Sequence, residues 1–303
     1  MYPAPPRSLS VAIPIQLPVG AAGAGPYAII TGPDGALWIT LVHAGHIGRL
    51  ETGGRLDIHE LTSPTCRPAQ IIAGLDGALW FTRTGDDRIG RITTGGQATS
   101  FPIAPGSAPF GLTVGPDEAL WYTAMGTDRI GRITTGGDVT EFLLPTSGAM
   151  PSMITTGFDG ALWFTLNRAH AIGRLSTTGE AMVHRLPTPD AGPVGITATA
   201  DAVWFVEMGS SLVGRISPDG RISEFPLPDR DARPHAIVAA PDGGCWLSEW
   251  GPSRVAHVSP DGDVREVVLP ASSEPHGLTV GPDGAVWVAL EAGAVARIDL
   301  ESA

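Results

Sequence analysis

Short apolar runs of about five residues alternate along the whole chain with breaks rich in glycine, aspartate and proline, and no window sustains an apolar period near 3.6 residues. That pattern predicts strands joined by hairpins. In the first unit a strand at Tyr27–Thr31 (YAIIT) runs into the turn GPDG at Gly32–Gly35 and on to a strand at Ala36–Thr40 (ALWIT). A looser loop leads to His46–Leu50 (HIGRL), and a turn at Gly53–Gly54 leads to Arg55–Leu61 (RLDIHEL). Asp-Gly and Gly-Gly between β-rich runs make hairpin turns because glycine accepts the positive φ they need.

The unit recurs. Trp38, Trp80, Trp121, Trp163, Trp204, Trp246 and Trp287 mark its register, at intervals alternating between 42 and 41 residues. Four short strands at such a period predict an all-β fold: a seven-bladed β-propeller of four-stranded antiparallel blades, with residues 1–303 forming one domain. The seven tryptophans are expected to pack the blades, and Trp250, outside the register, to line a surface or pocket. Arg49, Arg91, Arg132, Arg174 and Arg215 follow a glycine in the third strand and read as structural. The seventh repeat stops after its third strand, near Ala296–Leu300. Val11–Pro18 (VAIPIQLP) resembles the outer strands Ile222–Pro228 (ISEFPLP) and Val264–Pro270 (VREVVLP), so the N-terminal strand is expected to complete the last blade and close the ring.

Composition narrows the function classes. Forty glycines and 28 prolines recur with the repeat, so they mark turns and not low complexity. Cys66 and Cys245 sit in different repeats and suggest neither a disulfide framework nor a zinc site. A formal net charge of −12 argues against a nucleic-acid partner, which a basic face would have to attract. No apolar run approaches the roughly 20 residues that cross a bilayer. Pro14, Gln16 and Pro18 break the N-terminal apolar stretch, so no secretory leader is expected. The expectation is a soluble, cytoplasmic monomer.

Alternating hairpins put the tight GPDG and TTGG turns on one face and the irregular segments on the other, where function is usually placed. One residue after the recurrent proline the repeats carry Tyr27, Ala69, Phe110, Ser152, Val194, His235 and His276. Glu274 stands two before His276, where blade six has Arg233. The segment after the Trp strand offers Glu207, Glu249 and Glu291. Topology therefore gathers His235, His276, Glu274, Glu291, Glu249 and Tyr27 at one mouth of the channel, with Glu249 a candidate substrate contact. Converging carboxylates without a basic partner suit a hard cation such as Mg²⁺ or Ca²⁺. A neutral histidine beside such an ion suits general-base removal of a proton next to an ester or amide carbonyl. The other histidines, His43, His46, His59, His170, His184 and His257, follow no shared site pattern. There is no phosphate-binding glycine loop, no GxSxG elbow and no recognisable triad.

These residues resemble those of the virginiamycin B lyase (streptogramin B lyase) family along all seven repeats. The specific matches are GPY at Gly25–Tyr27, ARPHAI at Ala232–Ile237, SEWG at Ser248–Gly251, EPHG at Glu274–Gly277 and WVALE at Trp287–Glu291. The resemblance implies Mg²⁺-dependent linearisation of cyclic depsipeptide antibiotics, closed by an ester, through elimination and not hydrolysis. It implies His276 as general base, Glu274 and Glu291 as metal ligands, His235 as a substrate-binding residue that assists the leaving group, and Tyr27 as a substrate contact. The chain also departs from the family pattern. Where several family blades carry Glu after the strand ending in Thr, it has Leu41, Arg83, Ala124 and Leu166, while Glu207 and Glu249 remain, and Phe110 stands where a second Tyr can occur. Two competing expectations are a non-enzymatic propeller that binds a peptide or glycan at its mouth, and a metal-dependent lactonase that would add water.

Overall fold

The computed structural model describes residues 10–11, 15–16 and 23–299, and these form seven antiparallel sheets arranged as the blades of a propeller. Among the described residues there is no helix, and so none long and apolar enough to cross a membrane. Blade one runs Pro26–Thr31, Leu37–Leu41, His46–Leu50 and Leu56–Glu60. The tryptophan-bearing second strands carry the core: Trp38, Trp80, Trp121, Trp204 and Trp287 are fully buried between neighbouring blades.

Blade seven is completed from the other end of the chain. Its strands Pro275–Val280, Val286–Leu290 and Ala294–Asp299 are followed in the sheet by N-terminal residues. Ser10 and Val11 pair with Asp299 and Ile298, and Ile15 and Gln16 pair with Val295 and Ala294. The ring thus closes as the sequence predicts. The rest of the expected strand, residues 12–14 and 17–18, lies outside the described residues, as does Leu300.

One polar device repeats from blade to blade and explains the recurrent Asp, Trp and Arg. In blade three Trp121 donates Nε1–H to Asp117 Oδ1 at 2.8 Å, and Arg132 donates Nε–H to Asp117 Oδ2 at 2.6 Å. Asp34, Asp76, Asp159 and Asp283 do the same with Trp38 and Arg49, Trp80 and Arg91, Trp163 and Arg174, and Trp287 and Arg297. Burial works against charge on each aspartate, but the Trp and Arg donors more than offset it, so each pKa lies below the ordinary value. Blade five departs because its turn is one residue shorter, putting Asp201 three residues before Trp204 instead of four. Arg215 there reaches Asp201 through Nη2 at 3.2 Å, and Trp204 Nε1 has no partner. Replacing Asp117 by Ala should therefore cost about 1–3 kcal/mol by orphaning a buried indole N–H, and Asp201→Ala distinctly less. Urea unfolding of the two variants checks the order.

A second repeated contact ties each of blades one to four to the next. Thr40 Oγ1 accepts from Ala28 N at 2.9 Å and donates to Ala69 O of blade two at 2.8 Å. Thr82, Thr123 and Thr165 repeat it toward Phe110, Ser152 and Val194. Blades five and seven carry Val206 and Ala289 at this place, so neither ties down the carbonyl of His235 or Tyr27 in this way. Close approach also fixes glycines in the third strands: a Cβ on Gly131 would lie 1.9 Å from the Tyr122 ring.

Candidate active site

The mouth residues owe their aim to a backbone irregularity shared by all seven blades. The residue before each recurrent proline is left-handed, with φ of +67° at Gly25, +48° at Arg233 and +52° at Glu274. The first strand then bulges. In blade seven Pro275 pairs with Leu290 and Leu278 with Val288, three steps on one strand against two on the other. The extra residue falls at the post-proline position, and a bulge of this kind redirects a side chain. Blades one and six bulge identically, at Tyr27 and His235.

Tyr27, His235 and His276 meet. Tyr27 OH lies 3.3 Å from His235 Nε2, and His235 Nδ1 lies 3.3 Å from His276 Nδ1. The two imidazoles are edge-to-face with centroids 4.5 Å apart, and the His276 ring lies 4.5 Å from that of Tyr27. Phe110 packs edge-on to Tyr27 at 6.1 Å. His276 is 7% exposed, and its Nε2, otherwise without a hydrogen-bond partner, forms a close ion pair with Glu291 Oε2. The other Glu291 oxygen, Oε1, is 2.8 Å from His43 Nε2.

The charge states fix the direction of this chain. Hydrogen bonding from His276 leads the causes that bring Glu291 down to about 2; burial opposes it and His43 assists it. Glu291 is therefore an anion that only accepts. Burial, and then the neighbouring His276, push His235 down to about 3, so that it is neutral in any ordinary buffer. Burial, and then Glu291, raise Tyr27. It follows that His276 presents Nε2–H to Glu291 and, when neutral, an Nδ1 lone pair to His235. His235 must then donate Nδ1–H to it, leaving its own Nε2 to accept from the Tyr27 hydroxyl.

Glu274 joins the site through the main chain. Glu291 N donates to Glu274 O at 3.0 Å, which places the two residues side by side. Among the described residues no ion pair or hydrogen bond engages the Glu274 carboxylate. Nor, among them, do three His, Cys, Asp or Glu side chains form a metal-holding group. The Glu291 oxygens face His276 and His43, so of these two main-chain neighbours Glu274 is the one whose carboxylate those contacts leave open to a hard cation.

Glu249 is a correction. It ends the second strand of blade six, paired with Pro234, and so corresponds to Leu290 and not to Glu291. One residue along a strand reverses the face. Its side chain is fully buried within the blade, with no hydrogen-bond partner for either oxygen, and does not join the mouth. Glu207 is its counterpart in blade five, also fully buried. Trp250 is what stands at the Glu291 position in blade six, with the Arg233 guanidinium 5.9 Å from its ring. His43, which no repeat pattern marks, is the residue that sequence reasoning passed over.

This arrangement of two imidazoles, a phenol and the Glu291 carboxylate coincides with a match along the chain. The virginiamycin B lyase family model covers residues 14–298. The chain belongs to the virginiamycin B lyase family. It is similar to a streptogramin B lyase of known structure at 38% identity, with 97% of this chain and 98% of that one superposed at a TM-score of 0.91. Staphylococcus aureus virginiamycin B lyase is 36% identical with a TM-score of 0.91, covering 97% of this chain and all of that one. A catalytically inactive histidine-to-alanine variant of the S. aureus lyase, solved with quinupristin, matches at 36% identity and a TM-score of 0.90, over 97% and 99% of the two chains. Among curated members, the virginiamycin B lyase of Saccharopolyspora erythraea is 62% identical over 37 residues, 12% of each chain. That of Mycolicibacterium smegmatis is 56% identical over 53 residues, 18% of each. These two matched stretches thus span only a minor part of the curated lyases' length.

Proposed function

We propose that this protein is a streptogramin B lyase, inactivating cyclic depsipeptide antibiotics by eliminating across the ester that closes the ring. The observation that carries the reading is the pair of Nδ1 atoms, one basic and one a donor, 3.3 Å apart at the mouth. Elimination needs both functions at neighbouring substrate atoms. His276 Nδ1 takes the α-proton of the residue whose side-chain oxygen forms the ester. The C–H electron pair becomes the Cα=Cβ bond, and the Cβ–O bond breaks with its electrons on the released carboxylate. His235 Nδ1–H, freed from His276 as substrate enters, stabilises that carboxylate by a hydrogen bond. Glu291 stabilises the imidazolium formed on His276, as a carboxylate does behind other catalytic histidines. Tyr27 fixes the His235 tautomer and, with Phe110, offers an aromatic wall to the substrate. Glu274 and Glu291 would hold Mg²⁺, which when bound would place positive charge beside a substrate carbonyl and acidify the adjacent C–H. The quinupristin complex of the inactive histidine variant supports a streptogramin ring as substrate and a histidine as essential. The reading takes the protein as a monomer conferring antibiotic resistance, since one ring carries the whole constellation.

The test is incubation with quinupristin in Mg²⁺ and separately in EDTA, with products followed by liquid chromatography and mass spectrometry. The expected result is a product of shifted retention and unchanged mass, formed in Mg²⁺ only. Gain of one water would replace the lyase by the lactonase reading. Retention of quinupristin without turnover would leave a binding propeller.

A further inference from the structure

His43 enters none of the roles above, yet it makes the 2.8 Å contact to Glu291 Oε1. The contact crosses the closure of the ring, from the blade-one loop after the Trp38 strand to the end of the Trp287 strand in blade seven. The loop is held for it. Val42 N donates to Gly25 O and His43 N to Ala24 O, both at 2.9 Å. The imidazole lies against the bare Cα of Gly25, where an added Cβ would stand 2.3 Å from His43 Cδ2. A side chain half exposed to solvent is thus fitted into a fixed place with one nitrogen on the carboxylate.

Glu291 has two oxygens and two imidazoles, one on each. Without His43 the carboxylate could turn about its terminal bond, which is torsionally soft. Either oxygen could then meet His276, or neither, and His276 would be free to move its proton from Nε2 to Nδ1. That tautomer has no base at the atom facing His235.

We propose that His43 is a positioning residue: by donating Nε2–H to Glu291 Oε1 it keeps the other oxygen on His276 Nε2, and so keeps the His276 Nδ1 lone pair turned into the mouth. The inference rests on the lyase reading for its catalytic consequence, but not for its structural one. Loss of an outer partner of this kind typically lowers activity by about 10- to 100-fold.

Two measurements decide it. The first is imidazole ¹⁵N NMR of the metal-free, substrate-free protein. Wild type should show His276 as a single Nε2–H tautomer, and His43→Ala a tautomer mixture. His43→Gln, which keeps an N–H donor of similar reach, should restore the single form. The second is kinetics with quinupristin: His43→Ala should lose at least tenfold in kcat with KM within about twofold, and His43→Gln should recover most of it. An unchanged His276 spectrum in His43→Ala overturns the proposal, as does an unchanged kcat. If wild type turns over no streptogramin, the lyase reading fails on its own and the spectra alone decide the His43–Glu291–His276 linkage.

Discussion

Replacing His276 by alanine is expected to lower kcat/KM for quinupristin by about 10²- to 10⁴-fold, the usual loss when a positioned general base is removed. The reason lies in the direction of the hydrogen bonds. Glu291 is an acceptor only, His235 is neutral, and Tyr27 is a donor, so His276 Nδ1 is the one lone pair in the chain that can accept a proton and leave a charge next to a carboxylate. His235 cannot substitute. Desolvation holds its pKa near 3, which makes it too weak a base, and taking a proton would place a cation beside His276. The fold should survive the change, because the ring lies at the mouth and not in the tryptophan core. A variant with wild-type thermal unfolding and undiminished turnover would remove His276 from the base role. His235→Ala should act differently, slowing departure of the carboxylate while leaving a base in place.

The fold was legible because each blade repeats the same solution. A tryptophan at an interval of 42 or 41 residues, an aspartate four before it and an arginine after a third-strand glycine together encode one buried polar device. The missing outer strand of the last repeat and the spare one at the N-terminus could be matched by their residues alone. The mouth was legible only in part. The post-proline positions gathered Tyr27, His235 and His276 correctly because proline marks the same point in every blade. The carboxylates were harder, since Glu249 and Glu291 look equivalent beside a tryptophan strand yet differ by one residue. Alternation turns that single step into opposite faces, and only the pairing of Glu249 with Pro234 and Leu290 with Pro275 separates them. His43 was invisible for another reason. It has no counterpart in the other repeats, and its partner lies 248 residues away across the closure of the ring.

Glu249 and Glu207, displaced from the mouth, acquire a consequence of their own for stability. Burial leads the causes that raise Glu249, with Glu266 and Asp229 adding and Arg254 opposing; burial also leads for Glu207, opposed by the Ser210 hydroxyl and reinforced by Glu224. Both carboxyls are pushed up to about 7 from 4.5. A carboxyl whose pKa is raised by folding favours the folded state while protonated. Its contribution is therefore complete below about pH 4.5 and is lost as pH rises through about 7, by an amount on the order of 3 kcal/mol for each group. Glu291, held low, acts in a separate window: its contribution is present above 4.5 and lost as pH falls toward 2. Burial also depresses His59 and His184, which oppose the glutamates on the acid side by disfavouring folding as pH drops below 6.5. The decisive quantity is accordingly a difference between proteins, not one profile. The double variant Glu207→Gln, Glu249→Gln keeps the shape of both side chains and removes their charge. Its stability relative to wild type, from chemical denaturation, should change little below about pH 4, rise between about pH 4.5 and 7 by several kcal/mol, and level off towards pH 8. A difference that stays flat across that range would mean that neither carboxyl titrates in the folded protein where its burial requires.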